Sequence, residues 1–184
     1  MEYFDLYTKD RIRTGITIPR GSSVPRGYYR LVVHVCVFNS AGKLLIQQRQ
    51  SCKKSWPNMW DMTAGGSVMA GESSTDAAER EFFEEIGYKI HLGNKIPSVT
   101  LYFSEGFNDV YIIQKDIDLT NVNLQYNEVR SVKWATKDEI LNMIDKKYFI
   151  PYHKSLIELL FFMKSQYSGA LTIWKNIKNS PEDD

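Results

Sequence analysis

At 184 residues, 43% of them hydrophobic, the chain suits a single domain with a sizeable core. A formal net charge of +1 removes any global electrostatic case for nucleic acid or membrane binding. Cys36 and Cys52 lack metal-ligand spacing and read as free thiols in a reducing compartment. The opening MEYFDLYTKD is charged, with no apolar leader, and no stretch approaches membrane-spanning length, so a cytoplasmic location is expected.

The first thirty residues read as a separate extension. Tyr3 to Thr8 and Ile12 to Ile18 alternate as a hairpin would, and a loop rich in Pro, Gly and Arg follows. Arg11, Arg13, Arg20, Arg26 and Arg30 form the most evident basic cluster, which suits a solvated face as well as a phosphate-facing one. Leu31 to Phe38 is a β-branched run fit for a central strand buried on both faces. A turn at Asn39–Gly42 leads to an antiparallel partner, Lys43–Gln48. Arg49 to Trp60 is a loop, and Asp61 to Val68 runs on through two glycines. Leu101–Phe103 and Val110–Gln114 read as strands around a turn at Glu105–Asn108, and Arg130–Trp134 as another strand. Thr136 is placed to cap a helix over Lys137–Lys146, and Tyr152 to Tyr167 forms a last amphipathic helix. The expected organisation is an extension over 1–30, a main domain over 31–167 and a polar, fraying tail over 168–184. Mixed strands with two or three helices predict an α/β (α+β) fold in which helices sandwich the sheet.

The most informative segment is Gly66 to Tyr88, GSVMAGESSTDAAEREFFEEIGY. A glycine, five residues, Glu72, seven residues, then Arg80-Glu81, Glu84-Glu85 and Gly87 stand at fixed spacing, with apolar Phe82 and Tyr88 between and after. Seven strict positions at average residue frequencies would align by chance in on the order of one chain in a million. Ser73 or Ser74 caps a helix whose positive end favours Asp76, and Gly87 suits a left-handed stop. On that helix Glu81, Glu84 and Glu85 share one face, while Ala78, Phe82 and Ile86 form the stripe that docks on a core. Three crowded carboxylates call for a cation, and an oxygen-only set selects Mg2+ or Mn2+. A solvated face with an internal Arg80–Glu84 pair is the plainer reading; the fixed spacing to Gly65, Gly66 and Glu72 weighs against it.

This segment resembles the Nudix box, G-x5-E-x7-R-E-U-x-E-E-x-G-U. The resemblance implies the Nudix α/β/α sandwich with a mixed sheet, and metal-dependent hydrolysis of a pyrophosphate linkage in a nucleoside-diphosphate-type small molecule. It further implies that Glu81, Glu84, Glu85 and the carbonyl of Gly65 hold the metal, and that Arg80 orients the glutamates without touching substrate. Phe38–Arg49 and Ser55–Trp60 are similar to one branch, that of isopentenyl-diphosphate isomerase and its hydrolase relatives. The isomerase needs a cysteine and a histidine where this chain has Gly65 and Ser67. His91 reads as a surface residue, and His34, in a run of valines, as a core or supporting residue. Isomerase is therefore the second reading and hydrolase the first.

Glu81 is the first choice of base as well as a ligand, and Glu128, just before a strand, is a further candidate for either role. Arg49, Lys53, Lys54 and an aromatic, Trp56 or Phe107, are candidates to bind the substrate. A third reading, action on nucleotide-capped RNA ends through the arginine-rich segment, predicts a strong salt dependence that a small-nucleotide enzyme lacks. RNA is the weaker expectation as a partner, and a homodimer is allowed.

Overall fold

The structure, a computed structural model, describes residues 2–164; the polar tail lies outside the described residues. β1 (Tyr3–Tyr7) and β2 (Arg13–Pro19) pair antiparallel as a hairpin. Its inner face, Phe4, Leu6 and Tyr7, is buried, so it packs against the rest of the chain.

β3 (Arg30–Phe38) is the spine of the sheet. Its side chains alternate between two hydrophobic clusters, as a strand buried on both faces must. Val33, Val35 and Val37 face α1 (Ser74–Ile86), packing on Ala77, Ala78, Phe82 and Ile86. Cys36 and Phe38 face the opposite layer, where α2 (Lys137–Asp145) contributes Ile140 and α3 (Lys154–Met163) contributes Ile157 and Leu160. One helix on one side of a sheet and two on the other make an α/β/α sandwich.

Strand pairing departs from the expected hairpin. β4 (Leu44–Arg49) meets β3 at the single pair Phe38↔Leu44 and then splays away. β4 pairs instead with β5 (Trp60–Asp61) and, over six residues, with β9 (Val129–Ala135). The vacated edge of β3 is taken by β6 (Ala64–Ser67), which aligns Gly65 with His34 and Gly66 with Val33. On the other edge β8 (Gly106–Gln114) runs parallel to β3 and antiparallel to β7 (Val99–Phe103), so the sheet is mixed. Gly106, Phe107 and Asn108 belong to β8 and leave a shorter turn than the sequence suggests, because the strand continues to cover Arg30 and Leu31.

The helix ends follow side-chain chemistry. Ser73 caps α1 in a reciprocal box with Asp76, and Gly87 closes it at φ 71°. Thr136 and Glu139 form the same box on α2. α3 begins at Lys154, two residues later than expected, because the His153 side chain accepts from the Ser155 N–H and takes the capping position.

Candidate active site

The splay between β3 and β4 positions the site. Glu85 of α1 is buried against the divided sheet and bridges its two halves. Its Oε2 accepts from Gln47 Nε2 of β4 at 2.8 Å and from the Gly65 N–H of β6 at 3.3 Å. Burial pushes the Glu85 carboxyl up to about 8, and the nearby Glu81 charge adds to the shift. Glu81, largely buried, is also raised, by burial first, with Arg80 opposing.

Two adjoining glycines are needed for close approach. A Cβ on Gly66 would overlap the Glu81 carboxyl, and one on Gly65 would lie 2.6 Å from His34 Cδ2 and 2.9 Å from the Val33 carbonyl oxygen. β6 can therefore lie under the helix only without side chains at these positions. His34 faces this spot from the neighbouring strand, held by Asn108 Oδ1 at 3.0 Å.

Arg80 organises the remaining carboxylates. Its Nε and Nη2 grip Glu72 at 2.7 and 2.9 Å, while Nη1 reaches Glu81 at 2.8 Å and Glu84 at 3.1 Å. Nη2 also donates to the Ser67 carbonyl at 3.1 Å, which ties the helix to the end of β6. Glu72 accepts in addition from the Met69 N–H at 2.9 Å. Burial would raise the Glu72 carboxyl, but the Arg80 and Met69 hydrogen bonds bring it below its ordinary value. The spacing from Glu72 to Arg80 thus encodes a two-pronged carboxylate–guanidinium clamp.

The N-terminal hairpin supports the same loop. Asp5 accepts from the Gly71 N–H at 2.8 Å, the Tyr3 carbonyl from the Ala70 N–H at 2.8 Å, and Arg13 donates to the Glu72 carbonyl. At the hairpin turn, Arg11 pairs with the fully buried Asp109 at 2.7 Å. Asp109 also accepts from Ser74 and Thr100, both at 2.7 Å. The expected arginine cluster is thereby dispersed: Arg11 and Arg13 serve the hairpin, Arg30 lies over the Phe103 ring, and Arg20 pairs with Glu2 at the cleft.

A cleft of about 770 Å³ lies over this floor. It brings together Gly65, Arg80, Glu81, Glu84 and Glu85 with Glu128 and the basic side chains Arg49, Lys53 and Lys54. The two loops of the rim are joined: Lys53 pairs with Glu128, and the Gln50 N–H donates to the Glu128 carbonyl at 2.9 Å. Trp56 is half-exposed and does not line the cleft, although its neighbour Ser55 does. Phe107 cannot meet a substrate: it is 1% exposed and stacks on Tyr29 in the core.

Asp61 escapes sequence reasoning, because an aspartate in a two-residue strand carries no pattern. It is buried, accepts from Tyr152 Oη at 2.9 Å and from the Met62 N–H at 2.8 Å, and stands 3.6 Å behind the Arg49 guanidinium. Burial, together with the Asp61 charge, pushes the Tyr152 hydroxyl well up. Of the expected arginine cluster, Arg20 does reach the cleft, and Glu2, which sequence reasoning missed, comes with it on the folded hairpin. Of the other histidines, His91 is exposed beside Glu79 and His153 caps α3.

As placed, no three acidic, histidine or cysteine side chains converge on one point as ligands among the described residues. Arg80 holds Glu81 and Glu84, and Gln47 holds Glu85. The donor set still fits a hard divalent cation: three carboxylates on one helix face, two of them with proton affinity raised first by burial, which a bound cation would offset.

Among the described residues no helix is long and apolar enough to cross a membrane. The NUDIX domain family matches residues 28–160. An uncharacterized Nudix hydrolase of Listeria monocytogenes is 42% identical over 165 residues, covering 90% of this chain and 96% of its own length. An isopentenyl-diphosphate Delta-isomerase of Shigella boydii is 31% identical over 116 residues, 59% of this chain and 63% of its own. Among solved structures, the protein DR0079 of Deinococcus radiodurans superposes with a TM-score of 0.67 at 25% identity, covering 86% of this chain and 97% of that one. The helix, its clamp and its glycine strand are thus the folded form of the box, and the chain belongs to the Nudix hydrolase family.

Proposed function

We propose that this chain hydrolyses the phosphoanhydride bond of a nucleoside-diphosphate-type small molecule with the aid of Mg2+ or Mn2+. One observation carries the reading: the box carboxylates and the basic side chains Arg49, Lys53 and Lys54 line a single cleft of about 770 Å³. Glu81, Glu84, Glu85 and the carbonyl of Gly65 are the residues to hold the metal. A bound divalent ion would neutralise the diphosphate and stabilise charge developing on the phosphoryl oxygens.

The protein's own groups do the rest. Arg49, Lys53 and Lys54 hold the diphosphate against the floor. Glu81, with its raised proton affinity, takes a proton from the attacking water. The water oxygen forms the new P–O bond, and the bridging P–O bond breaks with its electron pair going to the leaving phosphate. Glu128 is a second candidate for the base, and its pairing with Lys53 makes it available only when that pair opens. Arg80 serves by fixing Glu72, Glu81 and Glu84, being saturated by protein partners itself.

Packing disfavours isomerase chemistry. A cysteine at residue 65 would press its Cβ against the His34 ring and the Val33 carbonyl, so this backbone leaves no space for that acid/base. Pairing of Arg11, Arg13 and Arg20 with Asp109, Asp5 and Glu2 lowers the positive charge of the segment and likewise disfavours an RNA-binding face.

The test is a screen of nucleoside di- and triphosphates, dinucleotides, nucleotide sugars and isoprenoid diphosphates with Mg2+ or Mn2+, following product by chromatography and NMR. Metal-dependent cleavage of a nucleoside diphosphate derivative is expected. Conversion of isopentenyl diphosphate to its dimethylallyl isomer would overturn the assignment.

A further inference from the structure

The cleft offers phosphates charged partners but, among the described residues, offers the organic part of a substrate no ring to stack on. Its lining is charged or polar except for the glycines, Met69 and Cys52, and none of the described residues that line it is aromatic. A heteroaromatic ring placed there would sit among glutamates and lysines with nothing to stack on. Ligand sites ordinarily combine a few polar anchors with apolar or aromatic walls, so the rest of the substrate must leave the cleft.

A second cavity of about 340 Å³ adjoins it and is lined by Phe83, Glu84, Gly87, Asn123, Leu124 and Gln125. Glu84 and Gln125 line both cavities, so the two are neighbours across the exposed edge of α1. Phe83 occupies the unspecified position between Phe82 and Glu84 of the box. Phe82 is fully buried, whereas Phe83 is 46% exposed on an otherwise polar stretch of helix. The far wall is fixed to the helix end: the Asn123 N–H donates to the Ile86 carbonyl at 3.1 Å and the Gln125 N–H to the Glu85 carbonyl at 3.2 Å. The notch is thus preformed.

The geometry points to this notch as the subsite for the nucleobase of the substrate. Phe83 supplies a stacking ring, Leu124 an apolar wall, and the amides of Asn123 and Gln125 supply donors and acceptors for base edges. A branched hydrocarbon tail would use the ring and the leucine but leave two amides without purpose. The Lys89 ammonium lies 5.4 Å from the Phe83 ring centroid, an exposed cation–π contact weak enough for an incoming ring to displace. The assignment rests on the diphosphate reading of the main cleft. It places the specificity-determining aromatic on the catalytic helix, one residue from a metal-binding candidate.

Calorimetric titration with Mg2+ and two non-hydrolysable probes tests it. α,β-Methylene-ADP carries a base, and methylenediphosphonate carries the diphosphate mimic alone. Phe83→Ala is expected to weaken the nucleotide analogue about tenfold and to leave methylenediphosphonate unchanged, while Phe83→Tyr retains wild-type affinity for both. Unchanged nucleotide affinity in Phe83→Ala, or an equal loss for both probes, would overturn the subsite. So would an affinity loss that follows Trp56→Ala or Tyr126→Ala instead. Wild-type protein that binds methylenediphosphonate but not α,β-methylene-ADP would overturn the subsite and keep the diphosphate reading. Binding of neither would overturn both.

Discussion

The floor and the rim of the cleft are built on different principles. The floor is a capped helix lying on a strand without side chains at two positions, and its carboxylates are held by Arg80, Gln47 and backbone N–H groups. The rim consists of two loops, residues 50–55 and 125–128, joined through the Lys53–Glu128 pair and a few backbone bonds. On the proposed reading, metal chemistry sits on the rigid part and phosphate binding on the loops, while the base-binding Phe83 stands on the exposed face of the floor helix. Each prediction below tests one side of this division.

The largest effect belongs to the floor. Glu84→Gln and Glu85→Gln preserve shape and remove charge, so folding should survive while metal-dependent turnover falls at least about 100-fold. Steady-state rates at saturating Mg2+, with circular dichroism for folding, measure this. Near-normal activity in both variants would place the metal elsewhere.

The two candidate bases fall one on each side of the division, Glu81 on the floor helix and Glu128 on the rim. With Glu81 as base as well as ligand, Glu81→Gln lowers kcat by about tenfold or more even at saturating metal and leaves the KM for substrate nearly unchanged, since the transition state loses stabilisation that added metal does not restore. Glu128→Gln then raises the metal concentration for half-maximal rate, as a rim ligand would. The reverse pattern moves the base to the loop.

The same division decides what could be read from the sequence. The floor was legible because each part has a short-range signature: caps at Ser73 and Gly87, a Glu72–Arg80 spacing that closes into a clamp, and glutamates three and four apart. β3 was legible from its valines. What failed depends on contacts distant in sequence. Local pattern gives β4 to β3, but β6 takes that edge, and nothing in AGGS announces a strand. Phe107 reads as an exposed loop aromatic until β8 runs through it. Asp61 acquires its partners from residues 12 before it and 91 after it. Trp56 was chosen as an aromatic near lysines, and its left-handed backbone, φ 51°, belongs to a loop whose course sequence does not specify.

Burial of Glu85 gives the floor a stability cost that can be measured apart from activity. Its carboxyl is raised from 4.5 to about 8 in the fold, so the folded state holds a proton that the unfolded chain releases. Unfolding therefore sheds protons, and the metal-free protein loses stability as pH rises from about 4.5 to about 8. Glu85→Gln abolishes that slope. At pH 8 without metal, the variant should be more stable than wild type by about 4 kcal/mol, or roughly 8–16 °C in Tm, and the two should approach each other near pH 5. Added Mg2+ should raise the wild-type Tm and leave that of the variant unmoved. A metal-free wild type whose Tm is flat between pH 5 and 8 would show that Glu85 is not strained by burial.

The smallest effects belong to the rim, and Arg49 is where it touches the framework. Its Nε donates to the Ser55 carbonyl at 3.2 Å, and Asp61 stands behind the guanidinium. The guanidinium lines the same cleft as Glu81, Glu84 and Glu85, so without Asp61 it would be drawn toward their charge and away from a phosphate. Arg49→Ala should raise KM about tenfold with kcat little changed, the loss of one charge-assisted contact made equally in ground and transition states. Asp61→Asn keeps the shape and the Tyr152 contact but frees the arginine, and should raise KM by about threefold. If Asp61 acts through Arg49, the double variant is no worse in KM than Arg49→Ala alone, because the cycle removes one interaction twice. Additive effects would mean that Asp61 merely supports β5. An Arg49→Ala enzyme with wild-type KM would instead release the rim arginine from substrate binding, leaving Lys53 and Lys54 to hold the phosphates.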